Sequence, residues 1–259
     1  MPPAPEEPRL KFLAALRYLT TIPLPLRRPL SPGEIGASAL FFPLVGLVIG
    51  LFLAASGWLL KLLFPSALVN VLIIGGLAAF SGARQLGGLA HTADGLVSHA
   101  GPETRLRITD DKRVGSFGII AVAALLLLKY VALDSLPQSQ SLWLYALIYF
   151  PVLGRWAMVY AIFSFRGARP SGPDGDFKRG ARWYGMLAAT LIALGVTFSL
   201  ARLPGLVIMA GVFAVAGLLG LYLKSRFGGL NIAAYGAVGE LAEATALVML
   251  SLLVHIGLA

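Results

Sequence analysis

Four stretches of the chain and one isolated arginine have the residue types and spacing for chemistry. The first reads Gly87-Gly88-Leu89-Ala90-His91-Thr92-Ala93-Asp94-Gly95. On a helix, His91 and Asp94 fall at i, i+3 and share a face; read structurally, they are a polar cap with ordinary turn residues. The second reads Thr109-Asp110-Asp111-Lys112-Arg113-Val114-Gly115-Ser116-Phe117-Gly118. Carboxylates, a cation pair and glycines at a helix start suit an anionic phosphate with a metal ion. The plainer reading is a solvated charged turn with its own ion pairs. The third, Arg169 to Gly180, carries Asp174, Asp176, Lys178 and Arg179 and would either close over an anion or serve as a basic surface loop. The fourth is Gly228-Gly229-Leu230-Asn231 followed by Glu240 and Glu243. Two carboxylates at i, i+3 inside an apolar run make a metal or cation site, or pair with an arginine. Arg155, within Gly154-Arg155-Trp156, lies in the middle of an apolar run. It must face the bundle interior or a wet cavity, or snorkel to the interface with Trp156 as a belt residue. Lys129 and Asp134, near an outer span end, are expected to snorkel outward.

The elements that position these residues follow from composition. The chain has 259 residues, 58% apolar and 13% charged, with a mean hydropathy of +0.81. Those values exclude a water-soluble globule and a disordered chain. The apolar runs are long and do not alternate, so the expected class is all-α, a polytopic integral membrane helical bundle. Cysteine is absent, which excludes disulfides, thiolate metal sites and a thiol nucleophile. The acidic, proline-rich opening does not resemble a cleaved signal peptide. About seven spans are expected, near 38–60, 67–83, 117–135, 141–163, 184–201, 204–223 and 238–257. Leu10–Leu24 is too short and basic to cross and reads as an interfacial helix ending at Pro23-Leu24-Pro25. With these spans, 17 of the 21 Lys and Arg fall on one side and two on the other, while Lys129 and Arg155 lie within spans. That asymmetry makes the N-terminus cytoplasmic. The net charge of +9 then reads as an attraction to anionic lipid rather than to nucleic acid. The whole of 1–259 reads as a single membrane domain. Residues 1–37 form a cytoplasmic segment, and the inner loops 84–116 and 164–183 carry the site.

Taken together, these motifs resemble the cobalamin synthase family, adenosylcobinamide-GDP ribazoletransferase. Leu16-Arg17-Tyr18-Leu19-Thr20-Thr21-Ile22-Pro23-Leu24-Pro25 is similar to its "FLTRIPxP" opening, and Phe41–Gly50 to its "FPLVGLLIG" first span. Residues 87–95 resemble "DGLADTADG", and 111–118 resemble "DSRxGxxG". Gly154-Arg155, Ala168-Arg169-Pro170, and Gly228-Gly229 with Glu240 and Glu243 match later motifs. The chain departs from the pattern at four places. Gln85 stands where the family has His, Gly87 and His91 where it has Asp, and Asn231-Ile232-Ala233 where it has Thr-Gly-Asp.

The resemblance implies a transfer in the inner membrane, with the active face cytoplasmic. A hydroxyl of alpha-ribazole, or of its 5′-phosphate, attacks a phosphorus of adenosylcobinamide-GDP, and GMP leaves, with Mg²⁺ as cofactor. It implies that Asp94 and Asp111 hold the metal, with Glu240 and Glu243 completing the ion site or orienting the hydroxyl. Asp94, Asp111 and Arg113 would be the catalytic set. Arg155, Arg169, Ser116, Asn231, Gln85 and His91 would bind substrate. The bilayer is the other expected partner, and the sequence admits a homo-oligomer. Three other readings stand beside this one. They are a non-catalytic homologue that binds corrinoid or nucleotide, a membrane phosphotransferase with another nucleotide-activated alcohol, and a transporter.

Overall fold

A computed structural model describes residues 7–24, 28–111, 113–138 and 141–258. The residues read against a signal peptide, Pro25, Arg27, Lys112 and the end of the 136–140 loop lie outside these. The elements are α1 (Pro8–Leu19), α2 (Pro32–Ala37), a 3₁₀ turn (Ala39–Phe41), α3 (Phe42–Leu60), α4 (Ser66–Phe80), α5 (Arg84–Val97), α6 (Pro102–Thr109), α7 (Ser116–Asp134), α8 (Ser141–Ser164), α9 (Pro173–Gly180), α10 (Trp183–Phe227) and α11 (Ile232–His255). The protein is all-α. Among the described residues, extended pairing is confined to one isolated bridge, Gly167 with Leu230. Five helices are long and apolar enough to span a membrane, or six if the bent pair α4–α5 forms one span. Helices are the expected solution, because lipid offers no partner for an unpaired backbone group.

α8 is the central helix. Its apolar window is 83% buried, against 28% for that of α7, so α7 faces lipid while α8 is surrounded by protein. α3 reaches α8 through Gly46 and Gly50, spaced as in small-xxx-small contacts. A methyl group at Gly46 would meet the Pro151 carbonyl oxygen at 2.7 Å. Pro151 lies inside α8 and lacks the N–H that would bond back one turn. At the other end of α8, the Lys178 ammonium of α9 donates to the carbonyls of Ile162, Phe163 and Phe165. A cation there satisfies open carbonyls at the negative end of the helix dipole. Burial pushes the Lys178 amine below its ordinary range.

α10 is a helical hairpin. Arg202 has non-helical angles (φ 46°, ψ −130°), and Pro204 follows it. Trp156 of α8 donates to Thr190 Oγ1 at 3.1 Å, and its ring lies 6.5 Å from that of Phe213. Twenty-three residues of straight helix would separate those partners by about 34 Å, so the chain doubles back between them. The two limbs correspond to the expected runs 184–201 and 204–223.

Three expectations are corrected. The 84–116 stretch is not an irregular loop but contains α5 and α6, and α9 occupies part of 164–183. α11 begins at Ile232, six residues before the expected start of its span, so Glu240 and Glu243 lie two to three turns inside it. Lys129 does not snorkel. It is 1% exposed, and its Nζ donates to Glu240 Oε2 and Glu243 Oε2, each at 2.6 Å. Arg155 completes the group by pairing with Glu243. Four ionised groups from α7, α8 and α11 thus neutralise one another inside the bundle. Removing one member leaves a buried charge unpaired, and this typically costs about 3–5 kcal/mol. We predict that Lys129→Met lowers stability in detergent by that order, and that Lys129→Met/Glu240→Gln regains most of the loss. Denaturant unfolding measures both, and equal stability of parent and single variant would contradict the network.

Candidate active site

The short helices and one end of the bundle enclose a cavity of roughly 570 Å³. Its lining comes from α1 (Tyr18), α5 (Arg84, Gln85, Gly87, Gly88, His91), the end of α6 (Thr109, Asp110), α8 (Met158), the loop before α9 with its first turn (Arg169, Pro173, Asp174), and α11 with its cap (Asn231, Ile232, Ala233, Gly236). α5 is brought here by an 87° bend after α4. At that bend, Gly82 N donates to the Ala79 carbonyl and Ala83 N to that of Ala78, with Gly82 at φ 64°. This is the Schellman ending of a helix. α5 then crosses α11 closely, because a methyl group at Gly88 would meet the Ala233 carbonyl oxygen at 2.6 Å.

The entry to α11 is fixed from three sides. Leu230 N donates to the Arg166 carbonyl and Ala168 N to that of Leu230, both at 2.9 Å. Gly229 lies against this bridge, and a methyl group there would stand 2.7 Å from Ala168 Cα. Asn231 caps the helix, its Oδ1 accepting from Ala234 N at 2.9 Å, while its Nδ2 donates to Thr109 Oγ1 at 2.6 Å. Asp174 Oδ1 accepts from Ile232 N at 3.2 Å. The first turn of α11, at the positive end of its dipole, thus stands in the cavity wall with two of its N–H groups already capped.

Arg169 supplies the strongest cation of the wall. Its Nη1 and Nη2 donate to Asp110 at 2.5 and 3.1 Å, and its Nε to Asp174 at 2.8 Å. The hydrogen bonds of Asp110 and Asp174 hold the guanidinium above its ordinary range, against the opposing effect of burial. Arg84 Nη1 donates to the Tyr18 carbonyl at 3.0 Å. Burial pushes the Tyr18 phenol up to about 12, with Arg84 partly opposing it. Two buried atoms of the wall, Gln85 Oε1 and His91 Nδ1, have no hydrogen-bond partner among the described residues. Each can meet a ligand donor.

Of the residues expected from sequence, Gln85, His91, Arg169 and Asn231 line the cavity. The others lie elsewhere. Asp94 accepts from Gly115 N at 2.7 Å and Gly118 N at 2.8 Å, so it caps α7 from outside. A methyl group at Gly115 would fall 2.7 Å from Asp94 Oδ1, which explains a glycine there. Ser116 is exposed on the first turn of α7. Asp111 and Arg113 are exposed and lie 3.8 Å apart as an ion pair. Arg155, Glu240 and Glu243 are held in the buried network. Thr109, Asp110 and Asp174 lie in stretches the sequence singles out but carry no individual role there, and Arg84 and Tyr18 have none either. Only the doubled aspartate at 110–111 and the acid after Pro173 hinted at two of them.

Among the described residues, no three His, Asp or Glu side chains gather to hold a metal ion. Both cavity carboxylates are engaged by Arg169, Asp94 by backbone N–H groups, and Glu240 and Glu243 by Lys129 and Arg155. The donors present do not form a cage for Mg²⁺. The positions where the resembled pattern has aspartates, Gly87, His91 and Ala233, all line this one cavity.

Comparison with known proteins agrees with the resemblance. Residues 11–251 match the family model described as cobalamin-5-phosphate synthase. The chain is 37% identical over 238 residues to the adenosylcobinamide-GDP ribazoletransferase of Roseiflexus sp. (strain RS-1), covering 92% of this chain and 88% of that protein. It is 34% identical to the protein of the same name from Geotalea daltonii, covering 92% and 96%. It is also 34% identical to that from Desulforamulus reducens, covering 88% and 91%. No solved structure matches the chain. A helical membrane bundle with a polar cavity at one end, matched to this family over nearly its whole length, is a member of the cobalamin-5-phosphate synthase family, a membrane transferase of late cobalamin biosynthesis.

Proposed function

We propose that the cavity is where adenosylcobinamide-GDP and alpha-ribazole, or its 5′-phosphate, react to give the cobalamin product and GMP. The observation that carries this reading is that one buried carboxylate, Asp174, holds both Arg169 and the first turn of α11 at the cavity wall. Phosphoryl transfer asks mainly for charge neutralisation and in-line positioning. Arg169 and the α11 dipole neutralise the diphosphate oxygens. The ribazole hydroxyl attacks the phosphorus on the cobinamide side, the new O–P bond forms, and the bond to the GMP oxygen breaks. The hydroxyl proton passes to His91 Nδ1, the unpartnered base of the wall. Mg²⁺ enters this reading only as an ion carried by the diphosphate, since the chain's own donors do not cage it. A Mg²⁺ titration of GMP release measures that dependence. A dimer or larger assembly is compatible with the reading.

The same reading places seven spans in the inner membrane, with the cavity and N-terminus on the cytoplasmic face. The bent α4–α5 pair and the folded-back α10 supply the two crossings beyond the five long helices. The distribution of Lys and Arg sets the side.

A second reading, a homologue that binds without turnover, has one observation in its favour. All three aspartate replacements fall in the cavity itself.

Three outcomes are expected. Arg169→Lys keeps the charge but loses the fork, and should lower kcat/KM for GMP release by about ten- to a hundred-fold; an unchanged value would move the reaction elsewhere. In sealed inverted vesicles and in intact cells, an impermeant thiol reagent should reach Ser171→Cys only in the former and Ser141→Cys only in the latter; the opposite pattern would reverse the orientation. Finally, Gly87→Asp/His91→Asp/Ala233→Asp creates an oxygen-rich wall, and each gained ligand can be worth about ten-fold or more in metal affinity, by analogy with losses around metal sites. GMP release should become strongly Mg²⁺-dependent and faster. A folded triple variant with the parent's rate and metal response would show that aspartates at these positions do not build a metal site here.

A further inference from the structure

Every donor edge of Arg169 is occupied, but the two carboxylates that hold it differ in kind. Asp174 is 2% exposed and also accepts from Ile232 N, so it is fixed into the wall. Asp110 is 49% exposed and binds the paired Nη1 and Nη2 edge. That edge matches the geometry of a phosphate as well as of a carboxylate. Asp110 also stands at a natural pivot. The preceding Thr109 is pinned by Asn231, 122 residues away in sequence. Asp110 itself is the C-cap residue of α6, where the chain leaves the helix.

Resting on the reading above, we propose that Asp110 stands in for a substrate phosphate on Arg169 and is exchanged for it on binding. The incoming phosphate, dianionic or part of a diphosphate, takes Nη1 and Nη2. Asp110 swings into water, where its charge is hydrated, and Asp174 keeps Nε and the orientation of the guanidinium. An ion pair open to solvent is weak, so the exchange is easy. A phosphate carries more charge and a third oxygen for the α11 N-terminus. The cavity also offers Gln85, 3% exposed with Oε1 unpartnered among the described residues, as an acceptor for a ligand donor. Before binding, Asp110 satisfies the Nη1 and Nη2 donors of Arg169 that Asp174 does not reach. After transfer, it competes with the departing phosphate monoester. Asp110 is thus a positioning residue that acts through Arg169, and it lowers apparent affinity by the fraction of time it occupies the fork.

The test uses the full chain in zwitterionic nanodiscs at fixed salt, with EDTA present so that metal plays no part. Binding of inorganic pyrophosphate and of GDP is measured by calorimetry. Asp110→Asn keeps the size of the side chain and removes the competing charge, so both ligands should bind about ten-fold more tightly. Asp110→Glu should restore the parent value, and Arg169→Lys in the Asp110→Asn background should remove the gain. In turnover, Asp110→Asn should lower KM and strengthen inhibition by GMP, a split that a purely structural loss does not produce. If the parent binds pyrophosphate through Arg169 but Asp110→Asn, with an unchanged melting temperature, binds it equally or less well, the exchange is wrong while the site reading stands. If parent and Asp110→Asn both fail to bind and Arg169→Lys changes nothing, the cavity is not a phosphate site and both readings fall.

Discussion

One helix has to satisfy two solvents. α11 carries two carboxylates in its apolar middle and brings its capped N-terminus to the wall of a polar cavity. The carboxylates are tolerable only because Lys129 of α7 and Arg155 of α8 meet them there. Replacing such a group by apolar side chains is often neutral for stability, whereas breaking it is not. What it fixes here is rotation and depth, since α11 can neither turn nor slide without exposing a charge to lipid. About 12 Å along the axis, the same helix presents Asn231, Ile232 and Ala233 to the cavity. The polar interior and the site are two ends of one rigid element.

Around that end, the chain gathers helix caps rather than metal ligands. Asp94 caps α7, Asn231 and Asp174 serve α11, and Lys178 closes α8. These contacts satisfy the orphan groups that helix ends leave open, and they set the relative position of five helices, α5, α7, α8, α9 and α11, without regular pairing. The cavity that remains is lined by two arginines and two aspartates, and Gln85 Oε1 and His91 Nδ1 in its wall have no partner among the described residues. An anionic, hydrogen-bond-rich substrate suits it, and for a diphosphate the electrostatic demand lies on Arg169 and the α11 dipole.

Much of the frame was legible in the sequence. Apolar run length located the long helices within a few residues, and the break between two runs at 202–203 is the turn of the α10 hairpin. The site was only partly legible. Gln85, His91, Arg169 and Asn231 were found through motif context and do line the cavity. Glu240 and Glu243 stood out as paired acids, but their main partner, Lys129, lies 111 and 114 residues away, and no local pattern carries that distance. Asp110 and Asp174 stand in stretches the sequence singles out, but their pairing with Arg169, 59 and five residues off, is set by the fold. α5 was hidden because its glycines read as a loop, although Gly88 serves a close helix crossing. Periodicity and hydropathy report burial, whereas charge pairing across the bundle is a property of the fold.

The central claim is that the nucleotide diphosphate binds between Arg169 and the first turn of α11. The direct measurement is a structure determined by electron cryomicroscopy with adenosylcobinamide-GDP bound and alpha-ribazole withheld. The account predicts phosphate density within hydrogen-bonding reach of the Arg169 guanidinium and the Ile232–Ala233 backbone, with the α11 network unchanged. Diphosphate density at Asp111 and Arg113, or beside Glu240 and Glu243, with the Arg169 cavity empty, would contradict it.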